Sequence, residues 1–184
     1  NRVVWDAATG EFLVRPLDRR PGEGDLRLTA FGELFAGLLR DFRDTSVYRE
    51  VIARDGTDHA FNLLLALTFR VGGQPGAYVI RTEAGDIPVT QFPARMEALY
   101  QAVGPTAAFQ RAARGGPGAE ALFDGLLTFA AQLVRAPTGW SLTLGGREFP
   151  LSELRDRLNH VDQQLSAKAP GVYALLREQG SATL

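Results

Sequence analysis

Residues 140–165 read WSLTLGGREFPLSELRDRLNHVDQQL, and this stretch contains both kinds of structural pattern found in the chain. Short β-type segments lie on either side of Gly145-Gly146, and two consecutive glycines suit the left-handed backbone angles of a tight hairpin turn. Pro150 has the fixed φ angle and missing N–H donor that favour a first helical turn, and the leucines beyond it recur at helical steps. The stretch therefore predicts a β-hairpin that runs directly into a helix.

Two earlier segments have the same hairpin pattern. Residues 2–5 and 12–14 flank one predicted turn, and residues 77–80 and 87–89 flank another. Pro88 lacks the N–H that a central strand needs, so we expect an edge strand there. Between the hairpins, apolar residues follow the three- and four-residue steps of helices. The predicted helices cover residues 28–42, 46–54, 57–69, 93–103, 105–114, 118–135, 151–168 and 170–179.

These elements predict an α+β fold that is mostly helical, with short antiparallel β-hairpins packed on a helical core. No linker resembles a flexible Gly/Ser tether, so we expect a single globular domain over 1–184. Residue 1 is not Met, which leaves open that this domain is a fragment of a longer chain. The dipeptides Phe92-Pro93 and Phe149-Pro150 both follow a hairpin, and they suggest that a hairpin-then-helices unit is used three times.

The composition excludes several classes of protein. A chain of 184 residues can bury a sizeable core, and 45% apolar residues with a net charge of −1 are typical of a folded protein. The absence of cysteine excludes disulfides, iron–sulfur clusters and thiolate zinc sites. No apolar stretch approaches the roughly 20 residues of a membrane span, and no export signal is visible. We therefore expect a cytoplasmic protein with no membrane partner.

Arginine dominates the basic residues, because Lys168 is the only lysine among 20 Lys and Arg. Such a bias can serve phosphate binding, since the guanidinium makes planar, forked contacts. It is also typical of codon usage in GC-rich prokaryotic genomes. No segment of the chain is strongly basic, and the cluster of Arg15, Arg19 and Arg20 is offset by nearby carboxylates. Codon usage is therefore the preferred interpretation.

The C-terminal helix has the sharpest pattern in the chain. Its apolar residues follow steps of 3, 4, 3 and 4, which form a narrow heptad seam and not a broad core-facing stripe. These residues, which we call the C-terminal seam, are Leu151, Leu154, Leu158, Val161 and Leu165. A narrow seam packs against one neighbouring helix, which can belong to a second copy or to a partner protein. The alternative is a helix that lies on its own domain, and two heptads are too short to decide between them.

The two histidines each lie near carboxylates. Glu153, Asp156 and His160 share the opposite face of the C-terminal helix, where they could bind a divalent metal or let the imidazole accept a proton. His59 stands beside Asp58 at a predicted helix start, where the helix dipole favours a neutral imidazole that could act as a base. The first pattern is typical of a solvated face and the second of an ordinary helix entry, so we predict no catalytic residue and no metal site.

A glycine-rich turn offers a candidate anion site. Arg111, Arg114, Gly115 and Gly116 precede the helix predicted over 118–135, and backbone N–H groups at a helix start attract anions. The turn lacks the Gly-Lys-Ser/Thr of a P-loop and the spacing of G-x-G-x-x-G. A plain turn between helices is the simpler interpretation.

The function is predicted largely from what the chain lacks. It has no G-x-S-x-G elbow, no H-E-x-x-H motif, no protein-kinase motifs and no EF-hand loop. The leading hypothesis is a non-catalytic protein-interaction or assembly module without a cofactor, which binds a protein partner or itself through the C-terminal seam. One alternative is a nucleic-acid-binding protein that uses dispersed arginines and the hairpin aromatics Trp5, Phe12 and Trp140. The other alternative is a small enzyme that uses His59 or His160.

Overall fold

The computed structural model of the chain describes residues 2–15, 24–115, 119–168 and Gly171. Within these residues, helices alternate with three antiparallel sheets of three strands each, which confirms the mostly helical α+β fold. The chain divides into two compact units, Asn1–Pro93 and Ala94–Leu184, which are described one at a time. The expectation of one globular domain over 1–184 stays a prediction.

The first unit begins with a sheet, continues with three helices and ends with a second sheet. The first sheet and the helices are β1 (Arg2–Asp6), β2 (Glu11–Arg15), β3 (Leu26–Arg27), α1 (Leu28–Phe42), α2 (Ser46–Asp55) and α3 (Thr57–Thr68). The second sheet is formed by β4 (Val71–Gln74), β5 (Ala77–Thr82) and β6 (Gly85–Pro88). A short 3-10 turn, Val89–Gln91, then leads into α4 (Phe92–Val103), which continues into the second unit.

The second unit also places helices before a three-stranded sheet, and a further helix follows that sheet. Two helices, α5 (Ala107–Gly115) and α6 (Ala119–Ala131), precede a sheet of β7 (Leu133–Ala136), β8 (Gly139–Leu144) and β9 (Arg147–Pro150). The next element, α7 (Leu151–Lys168), has the bounds that the sequence predicted. The helix predicted over 170–179 lies outside the described residues, apart from Gly171. None of the described helices has the length and apolar character needed to cross a bilayer.

Each sheet buries an apolar residue within its central strand. Val14, Ile80 and Leu142 occupy this place, with exposed fractions of 3%, 0% and 1%. Each is paired with one apolar residue on both neighbouring strands. The resulting rows, which we call the apolar triads, are Val3–Val14–Leu26, Val71–Ile80–Ile87 and Leu133–Leu142–Phe149. Residues that pair across neighbouring strands share one side of the sheet, so each triad gives its sheet an apolar face.

The second and third sheets repeat each other with constant spacing. The three strands of the third sheet each begin 62 residues after those of the second, at Leu133, Gly139 and Arg147 against Val71, Ala77 and Gly85. The backbone agrees in detail. The N–H of Arg81 donates to the carbonyl of Arg70 at 3.0 Å, and the N–H of Thr143 donates to that of Gln132 at 3.1 Å. These facts support the hypothesis of a repeated hairpin-then-helices unit.

The two Phe-Pro dipeptides that suggested the repeat are not equivalent to each other. Pro150 ends β9 as Pro88 ends β6, and both are edge strands, where a missing N–H leaves no sheet hydrogen bond unmade. Phe92 instead opens α4, so the match of Phe92-Pro93 with Phe149-Pro150 was wrong by five residues. The edge position predicted for Pro88 is confirmed.

One strand of each sheet was not predicted from the sequence. The strand β4 lies between the helix predicted over 57–69 and the hairpin strand predicted at 77–80, and it was missed because Gly72 and Gly73 hide the alternation of a strand. Leu133 and Val134 were assigned to the helix over 118–135, but they belong to β7, where the first is buried and the second exposed. The apolar run passes from α6 into β7 without a break, so its spacing does not mark the boundary. The third missed strand, β3, has only two residues.

Two buried threonines shape the turns between helices in the same way. The Thr45 hydroxyl donates to the carbonyl of Phe42 at 2.6 Å and accepts from the N–H of Tyr48 at 3.3 Å. The Thr106 hydroxyl makes the equivalent pair of hydrogen bonds, at 2.6 Å and 3.2 Å, between α4 and α5. One hydroxyl thus satisfies a terminal carbonyl of one helix and an N–H in the first turn of the next.

Removal of the Thr106 hydroxyl should weaken this turn. We expect Thr106→Ala to lower the free energy of unfolding by about 1 kcal/mol, because a carbonyl and an N–H both lose a partner at a buried position. Urea unfolding followed by circular dichroism should show a lower midpoint with an unchanged slope. Thr106→Ser is the control because it keeps the hydroxyl. If its midpoint falls as far as that of Thr106→Ala, the methyl group and not the hydrogen bonds holds the turn.

Candidate functional site

The C-terminal seam lies on α7, and side-chain contacts hold this helix to its own unit. Leu151 is buried at its start, and the Arg155 guanidinium donates to the carbonyl of Gln101 at 2.5 Å. Farther along, Arg111 of α5 forms an ion pair with Asp162 in which both carboxylate oxygens accept hydrogen bonds. The direction of α7 is therefore determined by contacts on the side of α5 and by the sheet that precedes it.

The seam becomes exposed along the helix. Leu154 and Leu158 are half-buried, whereas Val161 is 54% exposed and Leu165 is 37% exposed. The predicted stripe is therefore continuous, but its second half faces solvent. That this half binds a partner stays a prediction.

The 62-residue repeat shows how the same stripe is used elsewhere in the chain. The residues that correspond to Leu154, Leu158 and Val161 are Phe92, Met96 and Leu99, and their exposed fractions are 0%, 0% and 1%. Leu165 corresponds to Val103, which is half-buried. The stripe is thus core in one copy of the unit and partly surface in the other. Val161 therefore holds a place that is buried in the other copy of the unit, and Leu165 one that is half-buried there.

The candidate anion site contains an arginine that already has a carboxylate partner. Arg111 is paired with Asp162, whose side chain is 14% exposed, so an anion at this guanidinium would compete with that carboxylate. Arg114 and Gly115 lie in the last turn of α5, and Gly116 lies outside the described residues. Anion binding here stays a prediction, and the geometry assigns Arg111 a structural role.

Several of the side chains proposed for nucleic-acid binding already contact other residues of the chain. Further arginines among the described residues pair with carboxylates: Arg15 with Asp25, Arg27 with Glu11, Arg40 with Asp41, Arg43 with Asp44, Arg54 with Asp55, and Arg157 with Glu153. The guanidinium groups of Arg95 and Arg135 make cation–π contacts with the Trp140 ring, at 5.6 Å and 5.0 Å from its centroid. Burial lowers the pKa of Arg95 below its usual value. Trp5 and Phe12 remain exposed, and nucleic-acid binding stays a prediction with little structural support.

The two histidines lie in different surroundings. His160, Asp156 and Glu153 are exposed, and the Glu153 carboxylate accepts from Arg157 at 3.1 Å. In the described part of the chain, no three His, Cys, Asp or Glu side chains are placed to hold a metal ion. His59 is half-buried on α3, and its Nε2 atom has no hydrogen-bond partner among the described residues.

The chain matches no family model, no curated protein and no solved structure. Its function is therefore inferred from the arrangement of its own residues. Sequence reasoning located the seam because its spacing is local. It missed the contacts that orient α7, since Arg111 and Asp162 are 51 residues apart and no local pattern connects them.

The ion pair between Arg111 and Asp162 should contribute measurably to stability. We expect Arg111→Ala and Asp162→Ala each to lower the free energy of unfolding, and the double variant to lower it by less than the sum. The coupling should be about 1 kcal/mol, because the pair is only partly exposed. Chemical denaturation of the four proteins measures this coupling.

The exposed pair of Arg157 and Glu153 is the matched control for that cycle. Its two side chains are more than half exposed on a single helix, so its coupling should be no more than about 0.5 kcal/mol. Equal coupling in the two cycles would show that the Arg111 ion pair does no more than an ordinary surface contact.

Proposed function

We propose that this protein is a non-catalytic interaction or assembly module that associates through the exposed half of the C-terminal seam, Val161 and Leu165. The observation that supports this is the burial of the equivalent stripe in the preceding repeat, where Leu99 is 1% exposed against 54% for Val161. Exposed apolar side chains with this spacing are stabilised when another apolar surface covers them, because burial removes their contact with water.

The contacts of α7 suit it for presenting such a surface. The helix is held to its own unit by side chains outside the exposed part of the seam, which are Leu151, Arg155 and Asp162. The backbone that carries Val161 and Leu165 is therefore already ordered before a partner arrives. Binding then costs less conformational entropy than it would for a free helix.

The occupant that we propose is α7 of a second copy. The 3-4-3-4 spacing is that of a helix that packs along one other helix. A two-fold interface uses the same patch on both copies, so a single exposed stripe is sufficient to build it. Two strongly exposed apolar side chains in each copy make a small interface, and we therefore expect a weak dimer that depends on concentration.

Charges placed on the seam should abolish this association. We expect the double variant Val161→Asp with Leu165→Asp to stay folded, because both side chains are exposed, and to sediment as a monomer. Sedimentation velocity over a concentration series measures the association, and circular dichroism checks the fold. Gln163→Asp with Ala167→Asp is the matched control, since it adds the same charge on the opposite, exposed side of the same turns.

Three results would overturn the proposal. The first is a wild-type protein that is monomeric at every concentration. The second is a control variant that loses association as fully as the seam variant does. The third is an unfolding midpoint that falls sharply in the seam variant at concentrations where the wild type is still monomeric, because the seam would then be covered by its own chain.

A further inference from the structure

The first sheet differs from the other two in the exposure of its outer strand, β1. The strand order is β1-β2-β3, so the outer edge of β1 has no neighbour among the described residues. The N–H and C=O groups along such an edge are a template for pairing with another strand. The five residues of β1, Arg2–Asp6, contain no proline, so no position lacks its N–H.

The apolar face of β1 is exposed where its counterparts are buried. Val3 is the outer member of the first apolar triad and is 56% exposed, whereas Val71 and Leu133 hold the same place in the other triads and are 5% and 1% exposed. On the same face, Trp5 is 57% exposed and its cross-strand neighbour Phe12 is 50% exposed. Their rings meet edge to face at a centroid distance of 5.0 Å. A contiguous apolar patch of this kind marks an interaction surface.

The opposite face of β1 places charges against like charges. Arg2 pairs in register with Arg15, and Asp6 pairs with Glu11. Like charges directly opposite each other in a sheet are destabilising. The two charges of β2 have partners on or next to β3, in ion pairs of 2.8 Å and 3.2 Å. Opposite charges for Arg2 and Asp6 can therefore be supplied across the open edge.

We propose that β1 pairs antiparallel with β1 of a second copy of this chain, about a two-fold axis at Val4. In this register Arg2 lies opposite the partner's Asp6, and Asp6 lies opposite the partner's Arg2. On the other face, Val3 lies opposite the partner's Trp5. Each charge of the strand then faces an opposite charge, and the two sheets join into one sheet of six strands.

The sequence of the strand specifies this register. Arg2 and Asp6 are the first and last residues of β1, so only an axis through the middle residue brings both pairs together. A shift of one residue would place the charged face of one copy beside the apolar face of the other.

Hydrogen bonds from the Thr9 hydroxyl and the Ala8 N–H lower the pKa of Asp6, so its carboxylate is charged at neutral pH.

A cysteine at the axis tests the register, because the chain contains no other cysteine. In the proposed dimer the two copies of residue 4 have Cα atoms about 4.5–5.5 Å apart, which a disulfide can span. Under mild oxidation the full chain with Val4→Cys should therefore form a disulfide-linked dimer. Val3→Cys is the matched control, since its two copies lie about 7–8 Å apart on a diagonal and should link poorly.

Charge reversal tests the electrostatic part. In the Val4→Cys background, Arg2→Glu gives β1 two acidic ends and should lower the linked fraction by about tenfold, because two attractive pairs become repulsive. Asp6→Lys gives β1 two basic ends and should do the same. A mixture of these two proteins, one carrying a size tag, should restore linkage as the mixed dimer.

Several outcomes would overturn the proposal. Equal linkage of Val3→Cys and Val4→Cys, or linkage of neither, would exclude the register. A mixture that links no better than its components would exclude the charge pairing. The double variant Val161→Asp with Leu165→Asp should leave the Val4→Cys disulfide intact, so failure of the α7 interface and failure of the β1 interface can be told apart.

Discussion

The fold depends on the burial of one apolar residue at the centre of each three-stranded sheet. Val14, Ile80 and Leu142 lie in the middle strands, and burying each of these side chains contributes roughly 1.5–3 kcal/mol. Strands of two to six residues give each sheet a small apolar face, and packing against a helix stabilises such a sheet. Their apolar faces need cover, and the helices that follow each sheet can supply it. The alternation of sheets and helices along the chain is a consequence of this requirement.

The repetition of the unit supplies an internal standard for burial. Val71 and Leu133 show that the outer member of a triad is normally covered, and Leu99 shows the same for the helix that follows a sheet. Val3 and Val161 hold the corresponding places and are more than half exposed. Both proposals rest on this difference, since the same position is solvated in one copy of the unit and buried in another. The two surfaces lie on different elements and are tested by different variants.

Local patterns were sufficient for most of the secondary structure. The three hairpins, α1 and α7 were predicted closely, because turn glycines and the periods of two and 3.6 residues act over a few positions. The strands β4 and β7 were missed for a physical reason. Consecutive glycines remove the side-chain alternation of the first, and the second continues the apolar run of α6, so each became a strand only by pairing with the hairpin that follows it.

For the candidate site, the order of residues along α7 was sufficient to identify the seam, because a 3-4-3-4 spacing depends only on the helix that carries it. Distant parts of the chain decide which half of that seam is exposed to solvent. Leu151 is covered where α7 meets its sheet, the Arg111 ion pair holds Asp162 beside α5, and Val161 is left in solvent. Burial is a property of the neighbours that packing brings together, and neighbours 51 residues away leave no periodic trace in the sequence.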